Sequence, residues 1–271
     1  LIQSYQEASQ SLKPNFMQCL SGSIITCQED SAAFAELLLP IIIEGSQSTS
    51  EYDIDNRSYC IEALGDFLAF IPEKCESIYE DSIKIILSAS TDEHFLLRSS
   101  GLRSLINIIK YGQGELPIDF TRYALNSAKV AMSLEIPESE HIYAQDDSSY
   151  SIVDIVTDGF RLFRFLLKYH TESCEPFFSG FSAIFKSAMI SRAPVKIVAL
   201  KTAAYAIYKI PEKILIFDSI YMLITEPDTN DYDDKDDEID IVSVAFDTLK
   251  KIITKSEYEN QLIDQHMERF M

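Results

Sequence analysis

Apolar residues recur along this chain at i, i+3 and i+7, the spacing that puts three side chains on one face of an α-helix. Leu64, Phe67 and Ile71 set the pattern. It returns at Leu102, Leu105 and Ile109, at Phe160, Phe163 and Leu167, at Ala203, Ala206 and Ile210, and at Phe246, Leu249 and Ile253. Each of these helices is followed, after a short break, by a second apolar helix. A hairpin of this kind cannot bury its apolar face alone and must stack on its neighbours. The pattern predicts an all-α fold, a single α-solenoid of about six stacked helical hairpins running through residues 1–271.

Helix-breaking and capping residues divide the chain into pairs near 14–44, 53–90, 93–133, 151–190, 194–225 and 239–271. Pro14 can open a helix in its first turn, and Ser31 can cap the next. Pro72 ends the first helix of the second pair, and Pro211 takes the same place in the fifth. Gly112, Gly114 and Pro117 break the third.

Two acidic inserts interrupt the series. Residues 135–149 carry Glu135, Glu138, Glu140, Asp146 and Asp147 with no Lys or Arg. Residues 226–238 carry Glu226, Asp228, Asp231, Asp233, Asp234, Asp236, Asp237 and Glu238, with Asp240 following and only Lys235 opposed to them. Such like-charged stretches read first as solvated insertions, and second as lures for a basic partner. The EF-hand order of ligands, with Gly sixth and Glu twelfth, is not met in 228–238.

The first helices start about 40 to 60 residues apart once the inserts are counted, against roughly 34 for tetratricopeptide units and about 40 to 47 for HEAT or armadillo units. Two helices per unit point to HEAT. The absence of Trp speaks against an armadillo groove that grips basic peptides with Trp and Asn ladders. Within HEAT, Asp92-Glu93-His94-Phe95-Leu96-Leu97-Arg98 has the Asp and Arg spacing used between adjoining repeats.

Composition narrows the function. There are 23 Lys and Arg against 43 Asp and Glu, a formal net charge of −20. That charge repels polyphosphate backbones and anionic lipid surfaces, so direct binding to nucleic acid or membrane is not expected. The longest apolar run, Leu37 to Ile43, contains Pro40 and is far short of the roughly 20 residues of a membrane span. Cys19, Cys27, Cys60, Cys75 and Cys174 form no C-x-x-C pair, which suits reduced, buried thiols. The chain opens at Leu1 without an initiator Met and stops at Met271 inside a helical run, as a piece of a longer polypeptide would.

Chemistry-bearing motifs are missing. Gly112-Gln113-Gly114 lacks the third glycine and the preceding strand of a dinucleotide site. His94, His141, His170 and His266 fall in separate units with no metal-ligand spacing. No catalytic, cofactor or metal site is expected, and the chain reads as a binding protein rather than an enzyme.

Phe34-Ala35-Glu36-Leu37-Leu38-Leu39-Pro40-Ile41-Ile42-Ile43 resembles the inner-helix pattern of the importin-β superfamily. The order of features from Asp146 to Met271, with acidic inserts between helical pairs, is similar to the middle HEAT repeats of the large importins that carry ribosomal proteins and histones. The resemblance implies a nuclear transport receptor that shuttles between cytoplasm and nucleus. Second helices would line a concave face for basic protein cargo or nuclear localisation signals, and first helices a convex face for Phe-Gly nucleoporins. The small GTPase Ran would control exchange through repeats lying mostly outside this chain. It nominates Glu76, Glu80, Asp81, Glu172, Glu175, Glu212, Asp218, Asp264 and Glu268 for cargo, along with the acidic loop at Asp228 to Glu238. The alternative is a HEAT scaffold of the phosphatase-regulatory, adaptin or chromosome-associated type.

Overall fold

The computed structural model describes residues 2–9, 11–50, 53–112, 118–136, 151–210, 213–225 and 235–255. The fold is an all-α solenoid, and among the described residues there is no strand. Its helices are α1 (Ile2–Glu7), α2 (Lys13–Cys27), α3 (Ala35–Ser46), α4 (Ile54–Phe70), α5 (Tyr79–Ala89), α6 (Phe95–Tyr111) and α7 (Ile118–Met132). After these come α8 (Ile152–Tyr169), α9 (Thr171–Cys174), α10 (Phe181–Met189), α11 (Ala193–Ala206), α12 (Lys213–Thr225) and α13 (Lys235–Lys255). The chain divides into two compact units, Leu1–Cys174 and Glu175–Met271. The fourth expected pair is therefore split, with α8 in the first unit and α10 in the second.

Helix α8 shows how directly the sequence sets an element. Ser151 Oγ accepts from the Asp154 backbone N–H, and the Asp154 carboxylate accepts from the Ser151 N–H, a reciprocal cap that satisfies two otherwise orphaned donors. From there Ile155, Phe160, Phe163, Leu166 and Leu167 turn one apolar face inward and are buried.

In the first unit, α2, α4, α6 and α8 pack side by side as one layer. Helices α3, α5 and α7 lie chiefly against the helix that follows them, on α4, α6 and α8 in turn. The second unit keeps the same relations: α11 packs on α13, and α10 and α12 pack on each other and on the helices that follow them. The expected hairpins joined each helix of the layer to its successor instead. The difference lies in the links. Between α4 and α5 the chain runs through 3₁₀ turns at Pro72–Lys74 and Glu76–Ile78, whereas α5 passes to α6 through a tight turn at residues 90–94. The repeating element is thus a short turn followed by two helices: Gln28–Phe34 with α3 and α4, 72–78 with α5 and α6, and Glu175–Phe177 with α10 and α11.

Four of the five expected stripes are buried as expected. The fifth is rotated. Phe246 and Ile253 are 55% and 48% exposed, and α13 buries Ile241, Ala245, Thr248, Leu249 and Ile252 instead. Thr248 Oγ1 donates to the Leu200 carbonyl of α11 at 3.3 Å, so a small polar residue belongs to the packed face. The turn at Asp92 differs from the HEAT expectation as well. Arg98 Nε donates to the backbone carbonyl of Asp92 at 2.7 Å, and the Asp92 carboxylate accepts from the His94 N–H at 2.8 Å. Both bonds close a turn within one repeat.

The expectation of buried thiols holds for Cys60, Cys75 and Cys174, and burial pushes each of these thiols up to about 12. Cys19 and Cys27 are exposed on α2, since its buried face is Met17, Leu20, Ser21 and Ile24. Because the thiolate is the reactive form, an aromatic disulfide reagent on the native protein is expected to label Cys19 and Cys27 promptly. The other three should wait for denaturant. Peptide mapping of the labelled protein checks this, and prompt labelling of Cys60 would contradict the packing of α4.

Candidate interaction surface

The layer formed by α2, α4, α6 and α8 is joined by polar side chains that recur at helical spacing, three or four residues apart. On α4 they are Ser58, Glu62 and Asp66; on α6 they are Ser100, Arg103 and Asn107. Ser21 Oγ of α2 donates to Asp66 Oδ2 at 2.7 Å, and Asn107 Nδ2 of α6 donates to Asp66 Oδ1 at 2.8 Å. One buried carboxylate therefore spans three helices. Arg103 reaches Glu62 on one side at 3.5 Å and Asp158 of α8 on the other at 3.4 Å, and Arg161 holds Asp158 at 2.8 Å. Ser58 and Ser100 share a hydrogen bond of 2.6 Å, and Ser104 Oγ donates to the Ile61 carbonyl at 2.9 Å.

Burial dominates the electrostatics of this ladder. It pushes Asp66 up to about 7 against the opposing pull of the Ser21 and Asn107 hydrogen bonds, and nearby Glu62 adds to the push. Glu62 and Asp158 are also raised by burial, with Arg103 pulling both down and Arg161 pulling Asp158 down as well. The ladder fixes how neighbouring helices register on each other, a positional role that buried polar groups can serve at some cost in stability. None of its carboxylates was among the nominated residues.

The nominated carboxylates fall elsewhere. Glu76 lies in the 3₁₀ turn before α5, with Glu80 and Asp81 in the first turn of α5; all three are exposed and close in sequence. Lys84 pairs with Asp81 at 2.9 Å, and both side chains are exposed. Glu172 is exposed on the short helix α9, and Glu175 is exposed in the turn Glu175–Phe177, ahead of the second helix that was expected to begin there. Asp218 is half-buried on α12. Glu212, Asp264 and Glu268 lie outside the described residues, as do Asp228, Asp231, Asp233 and Asp234. The acidic loop was expected to run to Glu238. Helix α13 begins at Lys235, so Asp236, Asp237 and Glu238 belong to its opening turns.

Among the described residues no group of three or more His, Cys, Asp or Glu could hold a metal ion, and no helix is long and apolar enough to cross a membrane. Burial lowers His170, which sits at the end of α8.

No family model and no curated protein matches this chain. Solved structures do. A designed armadillo repeat protein, YIII(Dq)4CqI, matches at 12% identity with a TM-score of 0.57, over 93% of this chain and 98% of that one. An engineered protein matches at 11% identity with a TM-score of 0.57, over 93% and 96%. A second designed armadillo repeat protein, YIII(Dq.V1)4CPAF, in complex with peptide (KR)4, matches at 10% identity with a TM-score of 0.57, over 93% and 97%. The chain thus has the fold of armadillo-type helical-repeat solenoids, which agrees with its units of a short turn and two helices. These neighbours are repeat scaffold proteins.

Proposed function

We propose that this chain binds an extended, Lys- and Arg-rich stretch of a partner protein, and that it does so as part of a nuclear transport receptor shuttling between cytoplasm and nucleus. The observation that carries the basic partner is charge placed on a repeat scaffold. The chain has a net charge of −20, and Glu76, Glu80 and Asp81 stand exposed together at the start of α5. A solenoid of the same fold holds a (KR)4 peptide, which supports a basic ligand for this type of scaffold. The transport role rests on the resemblance to the importin-β superfamily, and with it come basic cargo, Phe-Gly nucleoporins and Ran as partners.

Each exposed charge pair contributes about 0.2 to 1 kcal/mol, so affinity would come from several acting together. A fluorescent Lys- and Arg-rich peptide titrated into the chain is expected to bind more weakly as salt rises to physiological strength. The combined variant Glu76→Lys, Glu80→Lys, Asp81→Lys should lose about tenfold in affinity or more. Salt-independent binding, or a variant that binds as well as the parent, would remove the electrostatic reading. Recovery of ribosomal proteins, histones or Phe-Gly nucleoporins from lysate bears on the transport role separately.

A further inference from the structure

Three of the four helices in the first unit's layer end on an aromatic residue. Phe70, Tyr111 and Tyr169 are the last residues of α4, α6 and α8. The rings of Phe70 and Tyr111 meet with centroids 5.1 Å apart. Lys110 Nζ lies 4.3 Å from the centroid of Tyr111 and 5.8 Å from that of Phe165 on α8, bridging the two helices. Phe165 and Tyr169 stack at 6.2 Å. Lys168 repeats the placement of Lys110, with its ammonium 4.7 Å from the centroid of Tyr169 and donating to the Tyr169 hydroxyl at 2.9 Å. Arg164 lies 5.6 Å from the centroid of Phe165. A strip of alternating rings and cations thus crosses three adjacent helices. Tyr111 and Tyr169 are 41% and 46% exposed, and Lys110 and Lys168 are exposed with them.

We propose that this aromatic and basic strip docks an extended acidic peptide segment of a partner protein. Lysine at a helix C-terminus answers the negative end of the dipole, which accounts for Lys110 and Lys168. It does not account for Arg164, more than a turn earlier, or for rings in register on three helices. A ring with a cation over its face offers its positive edge outward. Ring edges, ammonium groups and a guanidinium then all favour a carboxylate, on a chain whose net charge is otherwise −20. Tyr, Phe and Arg are also the side chains enriched where protein partners meet. With helix axes about 8 to 10 Å apart, the strip is roughly 20 Å long and fits about six residues of extended chain. The strip is built from other residues than the carboxylates at the start of α5, so the proposal does not rest on the basic-partner reading.

The test uses the full 271-residue chain and three fluorescent probes: a Glu-Pro repeat peptide, a Lys-Arg repeat peptide and oligo-dT. The Glu-Pro peptide is expected to bind at low salt and to lose at least about tenfold on Lys110→Glu with Lys168→Glu. Lys110→Arg with Lys168→Arg should retain it, and Tyr111→Leu with Tyr169→Leu should weaken it. These positions are exposed, and unchanged circular dichroism confirms that the variants fold. The charge reversals should not weaken the Lys-Arg peptide. Failure of the parent chain to bind the Glu-Pro peptide, or equal binding by the charge-reversed variant, overturns the proposal. Binding of oligo-dT without the acidic peptide also overturns it, in favour of a nucleic-acid surface.

Discussion

Gly101→Ala is expected to destabilise the first unit by about 2 to 3 kcal/mol, because the added carbon has nowhere to go. A β-carbon at Gly101 would sit 2.3 Å from the Ser90 nitrogen, 2.6 Å from its α-carbon and 2.8 Å from the Ala89 carbonyl carbon. All three atoms are backbone, so no rotamer change relieves the clash, and α6 must move away from the end of α5. That shift would disturb the contact just beyond it, where Ser90 and Ser127 share a hydrogen bond of 2.7 Å linking this turn to α7. Alanine's better helix propensity returns only about 1 kcal/mol. Gly22→Ala is the control: nothing lies within 4 Å of a β-carbon there. At that exposed position the propensity gain should appear alone, as a rise of about 1 kcal/mol or less. Urea midpoints of the three proteins decide the matter. A Gly101→Ala protein as stable as the parent would mean that α5 and α6 do not approach as described.

The same turn explains why the sequence revealed the helices better than their partners. Hydrophobic spacing reports which face of a helix is apolar, and for α4, α6, α8 and α11 it identified the buried stripe. It does not report which neighbour covers that face. A hairpin of α4 with α5 and one of α5 with α6 satisfy the same pattern, and the choice depends on how the chain crosses at 72–78 and folds back at 90–94. For α13 the large residues Phe246 and Ile253 outweighed Ala245 and Thr248 in the pattern. The packed face takes the small ones, since Thr248 must reach the Leu200 carbonyl.

The polar ladder was harder to see, because a carboxylate in a helix reads by default as solvated. Asp66 and Asn107 are 41 residues apart, and Arg103 and Asp158 are 55 apart. Only the recurrence of polar residues three or four apart along one helix face, Ser58, Glu62 and Asp66 beside Ser100, Arg103 and Asn107, could have signalled it. The aromatic strip left a fainter trace, a Lys-Tyr pair closing both α6 and α8. The exposed carboxylates were found by charge alone, which locates acidity but cannot say whether neighbouring helices bring it together.

Asp66 gives the ladder a measurable signature. Its carboxyl is 1% exposed and keeps its proton up to about 7 in the folded chain, against 3.8 as its ordinary value. Between those limits the folded state binds more protons than the unfolded state. Stability from this group is therefore fully present below about pH 3.8 and is lost as pH rises through about 7. The ceiling on that loss is on the order of 4 kcal/mol. Glu62 and Asp158 are raised by the same burial and act in the same sense.

The remaining carboxylates of so acidic a chain also make stability pH-dependent, so the comparison that isolates Asp66 is with Asp66→Asn. An amide there still accepts from Asn107, and the Ser21 hydroxyl can rotate to accept from it. The variant is expected to match the parent below about pH 4 and to exceed it increasingly up to about pH 7, as the parent meets the cost of ionising a buried group. Asp66→Leu should lose stability at every pH, because Ser21 and Asn107 are left without their acceptor. Urea midpoints of the parent and Asp66→Asn across that range measure the difference. Parallel curves would show that Asp66 ionises as freely in the folded chain as in the unfolded one, and that α2, α4 and α6 do not close over it.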